Sequence, residues 1–206
     1  MLVQYFSWVD NMLHGDFGIS YKYRLPVWSL LKSRIPISLN LTVISMIVEY
    51  IIAVPLGLLC AFKKNSLFDK ITVNVSLVMV AIPSFWLAVL LILVFGVKLE
   101  WLPISGYEDW TNYILPIVTG ALGGVAVTLR LVKSEAIDAL HEKYVITAYA
   151  KGVSERNVLV KHVLRNSLIV VTVNVFMSIP WLISGFIVIE KIFGIPGMGN
   201  LMIESI

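Results

Sequence analysis

Four apolar stretches, each about as long as a bilayer is thick, constrain this chain more than any other feature. The hydrocarbon core of a membrane is about 30 Å thick, which an α-helix crosses with about 20 residues. The stretches cover residues 37–62, 71–97, 112–129 and 168–189. Backbone amides and carbonyls find no water inside a bilayer, so each stretch is expected to bond its own backbone as a helix. The sequence therefore predicts an all-α, polytopic membrane protein with four transmembrane helices.

The composition excludes an ordinary soluble domain. Hydrophobic residues make up 58% of the 206-residue chain and charged residues 14%, whereas a soluble domain is about 45–50% apolar and about 25% charged. So few charges do not cover a water-facing surface, and lipid is the expected solvent. The single cysteine, Cys60, lies in an apolar stretch and provides neither a disulfide framework nor a zinc-binding spacing.

Lysine and arginine set the predicted orientation. The loop 63–70 has three basic residues and one acid, the loop 130–165 has seven basic residues, and the loop 98–111 has one lysine against three acids. Because cytoplasmic loops carry an excess of basic residues, the first two loops are predicted to be cytoplasmic and the third extracytoplasmic. Residues 1–36 then lie outside, and their many aromatic side chains favour an interfacial segment that does not cross the membrane.

The polar segment, residues 130–167, separates the third apolar stretch from the fourth. Apolar residues recur at helical spacing through 134–150, and Gly152 supplies the backbone freedom for a reversal. Ser154 is then placed to cap a second helix over 155–166. The residues alone fit two interpretations: a helix pair that docks into the groove of a partner, or a solvated loop attracted to anionic lipid headgroups.

Three polar residues inside the predicted spans are candidates for a translocation path: Glu49, Asn74 and Asn174. An ionisable group within a span is a functional candidate by default, and Glu49 is predicted to line a pore and to contact the backbone or amine of a peptide. The alternative is hydrogen bonding between helices, worth about 0.6 kcal/mol on average. Pro83 and Pro180 are predicted to bend their spans and not to bind a ligand.

No residue pattern predicts an enzyme. The three histidines, His14, His141 and His162, lie in separate contexts, which disfavours a metal site. The sequence also contains neither a glycine-rich phosphate-binding loop nor a nucleophile–histidine–acid arrangement. We therefore predict no catalytic, cofactor-binding or metal-binding residue in this chain.

The polar segment resembles the cytoplasmic coupling loop, or EAA motif, of permease subunits of binding-protein-dependent ABC importers, in the form used by the dipeptide, oligopeptide and nickel branch. The pieces that carry the resemblance are Tyr144-Val145, Thr147-Ala148-Tyr149-Ala150-Lys151-Gly152, Ser154-Glu155-Arg156, His162 and Leu164-Arg165-Asn166. Landmarks similar to those of the family extend over nearly the whole chain, among them His14-Gly15-Asp16-Phe17-Gly18, Arg34-Ile35-Pro36, Pro55-Leu56-Gly57, Ile82-Pro83-Ser84 and the segment from Phe193 to Gly199.

The resemblance implies a type I (MetI-like) permease fold in the inner membrane of a prokaryote. It also implies the partners: a second, homologous permease subunit, two ATP-binding subunits and an extracytoplasmic solute-binding protein. ATP is then bound by the partner subunits, and closure of the ATPase pair is passed through the coupling loop to the spans. The implied cargo is a dipeptide or oligopeptide, with nickel as the alternative.

The same resemblance assigns the residues of the coupling loop that dock on the ATPase. Gly152 is the implied hinge. The residues implied to form the docking surface are Ala148, Ala150, Lys151, Ser154, Glu155 and His162. Ile146 stands where the family has the glutamate that names the motif, which removes an ion pair at that point but not the docking.

Two further alternatives stay open. Permeases of this branch have an additional span at each end, so the four predicted spans are four of an expected six, and a truncated product without function is one alternative. The other is a secondary transporter that is coupled to protons through Glu49.

Overall fold

The computed structural model describes residues 2–178 and 186–206. All regular elements in these ranges are helices, which confirms the predicted all-α class. Their bounds are α1, Leu2–Leu13; α2, Val27–Phe62; α3, Leu67–Ala81; α4, Ser84–Leu91, continued by π-helical turns over Ile92–Lys98; α5, Ile114–Leu140, preceded by a 3-10 turn over Trp110–Tyr113; α6, Lys143–Ala150; α7, which runs through Glu155–Asn157, the π-helical turns Val158–Val163 and Leu164–Met177; α8, Ile187–Phe193; and α9, Met198–Glu204.

Helices α2 and α5 form the centre of the described structure, and α3, α4 and α7 contact α5. The two central helices approach each other closely at Gly57, where a Cβ atom would lie 2.7 Å from the main-chain oxygen of Leu129. Ala53, Val125 and Leu129 are buried beside this crossing. Small residues on α2 therefore allow the backbones of the central pair to come close together, as packing within a membrane requires.

The number of spans agrees with the sequence analysis. Val27–Phe62, Trp110–Leu140 and Val158–Met177 are each long and apolar enough to cross a membrane, and the total among the described residues is four if the bent pair formed by Leu67–Ala81 and Ser84–Lys98 is one span. The pair bends by 101°. The bend follows from Pro83, because a proline disfavours helical backbone at the preceding residue, and Ile82 is extended (φ −82°, ψ 119°).

Helix α2 is longer than the predicted first span. It begins at Val27, directly after Pro26, and not at residue 37, so the last ten residues of the predicted interfacial segment are helical. At 36 residues it is about 54 Å long, which exceeds the hydrocarbon thickness. The predicted span, 37–62, is therefore the carboxyl-terminal part of a longer helix.

Helix α5 likewise continues past residue 129, the predicted end of the third span, to Leu140. The charges at the start of the polar segment do not interrupt the helix. Arg130 Nε donates to a main-chain carbonyl of its own helix at 3.2 Å, and Lys133 forms an ion pair with Asp69. The predicted helix over 134–150 is instead broken at His141, and α6 begins after the break.

The predicted second helix of the polar segment and the fourth span are one continuous helical segment, α7. Its start at Glu155 agrees with the prediction, while its π-helical turns carry it without a stop into Leu164–Met177. The predicted fourth span, 168–189, and the predicted bend at Pro180 extend over residues 179–185, which lie outside the described residues. Beyond them, α8 begins at Ile187.

Two apolar clusters lie at opposite ends of the central helix pair. The loop-end cluster joins α2, α5, α6 and α7, and its buried residues are Ala61, Ala136, Ala139, Val145, Ala148, Val158 and Val163. The second cluster joins α2, α4, α5 and α8, and its buried residues are Leu41, Ala88, Leu115, Ile189, Phe193 and Ile195. Both ends of α2 and α5 are thus held by packing from segments outside the pair.

Candidate translocation cavity and coupling surface

A cavity of about 690 Å³ lies between α2, α5 and the start of α8. Thr42 and Glu49 line it from α2, Thr119 and Gly124 line it from α5, and Phe186 closes part of the wall before α8. Its volume falls in the range of small-molecule pockets, about 300–1,000 Å³. The described part of the chain therefore contains a space for a small solute next to the one carboxyl group that the sequence analysis singled out.

Glu49 is held at the wall of this cavity by one hydrogen bond. The hydroxyl of Thr128 on α5 donates to Glu49 Oε1 at 2.5 Å. A Cβ atom at Gly124 would lie 2.1 Å from Oε2 of the same carboxyl group, so the glycine provides the room that the carboxylate occupies. The bond and the glycine fix the position of the acid from the opposite helix.

The structure does not bring the two asparagines to the cavity wall. Asn74 lies on α3, where its Nδ2 donates to the carbonyl of Lys70 at 2.8 Å. Asn174 is half-buried on α7, and its main-chain carbonyl accepts a hydrogen bond from Ser178 at 2.9 Å. Ser178 lines the cavity in place of Asn174. A path role stays a prediction for all three candidates.

The reversal after α6 is a Schellman motif. Gly152 has a left-handed backbone (φ +74°), and its N–H donates to the carbonyl of Tyr149 at 2.9 Å. The N–H of Val153 donates to the carbonyl of Ala148 at 3.1 Å, and Val153 then packs on the loop-end cluster. This pattern of two bonds with an apolar contact ends helices at a glycine. The structure confirms the predicted chain reversal at Gly152, while the role of this residue in coupling stays a prediction.

The predicted docking residues divide into exposed and buried positions. Ala150, Lys151, Gly152, Ser154 and Glu155 are all exposed and form one continuous surface around the reversal.

Ala148 and His162 differ from this exposed set. Ala148 is buried, with 6% of its surface exposed: it belongs to the loop-end cluster, which packs α6 against the long helices, and its role in docking stays a prediction. His162 is half-buried, and its ring lies 6.4 Å from that of Tyr144. Ser154 stands at the N-cap position of α7 as predicted, but its side chain makes no capping hydrogen bond.

An ion pair that no sequence pattern predicted connects the start of α3 to α5. Lys133 Nζ donates to Asp69 Oδ1 at 2.5 Å, and the side chain of Asp69 is only 5% exposed. The second oxygen of Asp69 accepts the N–H of Asn65 at 3.0 Å. The turn between α2 and α3 is thereby connected to the carboxyl-terminal part of α5. The two partners are far apart in sequence, and no local pattern pairs them.

Glu190 is a second missed residue, and it organises the opposite end. It is fully buried and accepts a hydrogen bond from Ser38 Oγ at 2.5 Å and another from the N–H of Asn200 at 3.1 Å. The hydroxyl of Ser38 in turn accepts the N–H of Met198 at 2.7 Å. A Cβ atom at Gly197 would lie 2.4 Å from the Glu190 carboxyl carbon. The glycine-rich run after Glu190 was the available signal, since glycine is needed where the backbone approaches another group closely.

A further bond ties the amino-terminal segment to α9. The hydroxyl of Tyr23 donates to Glu204 Oε2 at 2.6 Å. This hydrogen bond is the main reason that the pKa of the Glu204 carboxyl lies below its usual value.

We expect Glu190→Ala to loosen the attachment of α8 to α2 and α9. The change leaves the Ser38 hydroxyl and the Asn200 N–H without their acceptor, and a hydrogen bond to a charged group contributes about 1.5–3 kcal/mol. The expected loss is about 3 kcal/mol or more of unfolding free energy, measured by thermal unfolding in detergent. Glu108→Ala, in the exposed loop after α4, is the matched control and should leave the unfolding temperature unchanged. Equal unfolding temperatures for the two variants would contradict the role given to Glu190.

Comparison with known proteins agrees with this arrangement. Residues 53–206 match the family described as "Binding-protein-dependent transport system inner membrane component". The glutathione transport system permease protein GsiC of Escherichia coli (strain K12) is 38% identical over 203 residues, which cover 98% of this chain and 66% of that protein. The protein of the same name from Shigella flexneri serotype 5b (strain 8401) is 37% identical over the same lengths. The chain spans 66% of the length of these relatives.

The matched region contains the carboxyl-terminal end of α2, all of α5, the reversal at Gly152 and the glycine-rich turn before α9. The resemblance drawn from the polar segment is confirmed, and the chain belongs to the family of inner membrane components of binding-protein-dependent transport systems.

Proposed function

We propose that this chain is the permease subunit of an ABC importer and that α6, with the reversal at Gly152, is the helix that couples it to an ATP-binding subunit. One observation carries the proposal: α6 buries one face in the loop-end cluster and leaves the other face open. Val145 and Ala148 are buried, while Ile146 and Tyr149 are 60% and 42% exposed. A short helix with a buried face and an open, partly apolar face at the end of a membrane bundle is suited to a groove in a partner.

The contacts of α6 explain how a movement of this helix reaches the spans. The loop-end cluster connects it to α2, α5 and α7 at once. Asn166 Nδ2 on α7 also donates to the hydroxyl of Tyr144 at 2.9 Å. A push on the open face therefore acts on three of the long helices together, and the Asp69–Lys133 pair extends the connection to α3. The partners proposed are an ATP-binding pair, a second permease subunit and a solute-binding protein.

The proposed cargo is a short peptide. Support comes from the two relatives, whose names assign them to glutathione transport, and from the size of the cavity beside Glu49. The test is uptake of labelled glutathione by proteoliposomes that contain the assembled importer and its binding protein. Uptake that depends on ATP and stops when the ATP-binding subunit is inactivated is the expected result. Uptake that continues without ATP and collapses with an uncoupler would favour the proton-driven alternative.

We expect Ile146→Lys to weaken the association with the ATP-binding subunit. The side chain lies on the open face of α6, and a lysine places there a charge opposite to that of the glutamate that the family carries; the expected loss is about 2 kcal/mol of binding free energy, as at a hot spot. Co-purification of the ATP-binding subunit with the tagged chain measures the effect. The matched control is Tyr107→Lys, which introduces the same base at a 48% exposed side chain in the loop after α4. Undiminished co-purification of Ile146→Lys would remove α6 from the interface.

A further inference from the structure

We propose that Glu49 binds the primary ammonium group of the transported solute inside the cavity between α2 and α5. This deepens the proposed function, on which it rests for the fact that a solute passes through the cavity. Three features of the cavity support this proposal. It contains an acidic acceptor, its threonine hydroxyls already donate their protons to other groups of the chain, and its volume suits a small solute.

The described lining offers acceptors to a ligand and few donors. Thr42 and Thr119 each direct their hydroxyl proton to the main-chain carbonyl one turn earlier, at 2.8 and 2.7 Å. Thr128 directs its proton to Glu49. A hydroxyl that donates to the backbone still has lone pairs to offer, so Thr42 and Thr119 present oxygen acceptors to the cavity. Groups with several donors and no acceptor are therefore favoured over carboxylates at this wall.

Glu49 supplies the acidic group. In the part of the chain that the structure describes, no lysine, arginine or histidine forms a salt bridge with it. An ionised carboxylate has room for about four hydrogen bonds, and Thr128 provides one. A carboxylate within a membrane-spanning helix is costly without a partner, so a cation that arrives in the cavity is stabilised there. A primary ammonium group has three donors and no acceptor, which complements this set.

Gly124 keeps the carboxylate accessible. With no side chain at this position, the Glu49 carboxyl group rests against the backbone of α5. An added Cβ atom, at 2.1 Å from Oε2, would displace the carboxyl group and its bond to Thr128. Gly124→Ala therefore alters the position of the acid without removing its charge, which separates placement from charge in a binding experiment.

The test measures binding of trialanine and of N-acetyl-trialanine to the full importer complex in lipid nanodiscs, without the binding protein. Saturation-transfer NMR detects weak binding and reports which peptide is held. Acetylation converts the ammonium group into a neutral amide, so the acetylated peptide loses a hydrogen bond between charged groups. We therefore expect trialanine to bind about tenfold more tightly than the acetylated peptide. Glu49→Gln should abolish this preference, Gly124→Ala should reduce it, and the control Glu108→Gln, in the loop after α4, should retain it.

Three results would overturn the assignment: equal binding of the two peptides by the unmodified complex, no binding of either peptide, or an unchanged preference in Glu49→Gln. Failure of the proposed function is seen separately. A complex that prefers the free amine but shows no ATP-dependent uptake keeps the ammonium site and loses the importer. A complex that takes up solute with ATP but shows no preference keeps the importer and loses the site.

Discussion

Gly57→Ala is expected to destabilise the central helix pair, although alanine is the better helix former. A Cβ atom at this position would lie 2.7 Å from the Leu129 carbonyl oxygen and 2.9 Å from Val132 Cβ. Both atoms belong to α5 or are attached directly to its backbone, so neither moves without moving the helix. Overpacking of this kind typically costs about 1–3 kcal/mol, and the larger Gly57→Leu should exceed that.

Gly123→Ala is the matched control for this change. Gly123 is also inside a long helix, and an added Cβ atom there meets nothing within 4 Å. The control should gain stability from helix propensity, up to about 1 kcal/mol, whereas Gly57→Ala should lose it. Thermal unfolding of the purified chain in detergent compares the two. A Gly57→Ala variant as stable as Gly123→Ala would show that the helices separate at no cost, and the account of the central pair would be wrong.

The fold class followed from the sequence because it depends on local composition. Apolar length indicated the helices that are candidates for spans, and Pro83 located the 101° bend, since a proline acts on the residue beside it. The helix ends did not follow. Hydropathy locates the apolar part of a helix, while tertiary packing decides how far the helix continues: Ala136 and Ala139 are buried past the predicted end of the third span.

The residues of the candidate sites also divide into those that a local sequence pattern predicts and those that only tertiary packing explains. The reversal at Gly152 was predictable because a glycine after an amphipathic helix has a local structural reason. Glu49 was predictable as an ionisable residue in an apolar stretch. The partners of Glu190 and Asp69 were not, because Ser38 and Lys133 lie 152 and 64 positions away in the chain, and only the packing of separate helices brings these groups together. The cavity likewise depends on Gly124 facing Glu49, a relation between two helices.

Gly152→Val is expected to disconnect the ATPase from the spans. The backbone at this position is left-handed, with φ +74°, which costs a residue with a side chain roughly 1–2 kcal/mol and is least tolerated by β-branched residues. A cost of that size shifts the loop away from its present geometry by about 5–30-fold. The N–H bonds of Gly152 and Val153 to α6 are then lost, and the open face of α6 no longer has a fixed direction. Uptake and ATPase association should both fall, with insertion of the chain unaffected.

Gly152→Asn separates the conformational requirement from the steric one. A side chain at this position meets nothing within 4 Å inside the chain, so only the backbone opposes the valine. Asparagine adopts the left-handed region several-fold more readily than most residues and should retain most of the uptake. Normal uptake by Gly152→Val would show that the reversal is not needed for coupling. Valine and asparagine add similar bulk but differ in the conformational cost of the left-handed backbone. Loss of uptake in both variants would therefore mean that the ATP-binding subunit approaches the glycine too closely for any side chain.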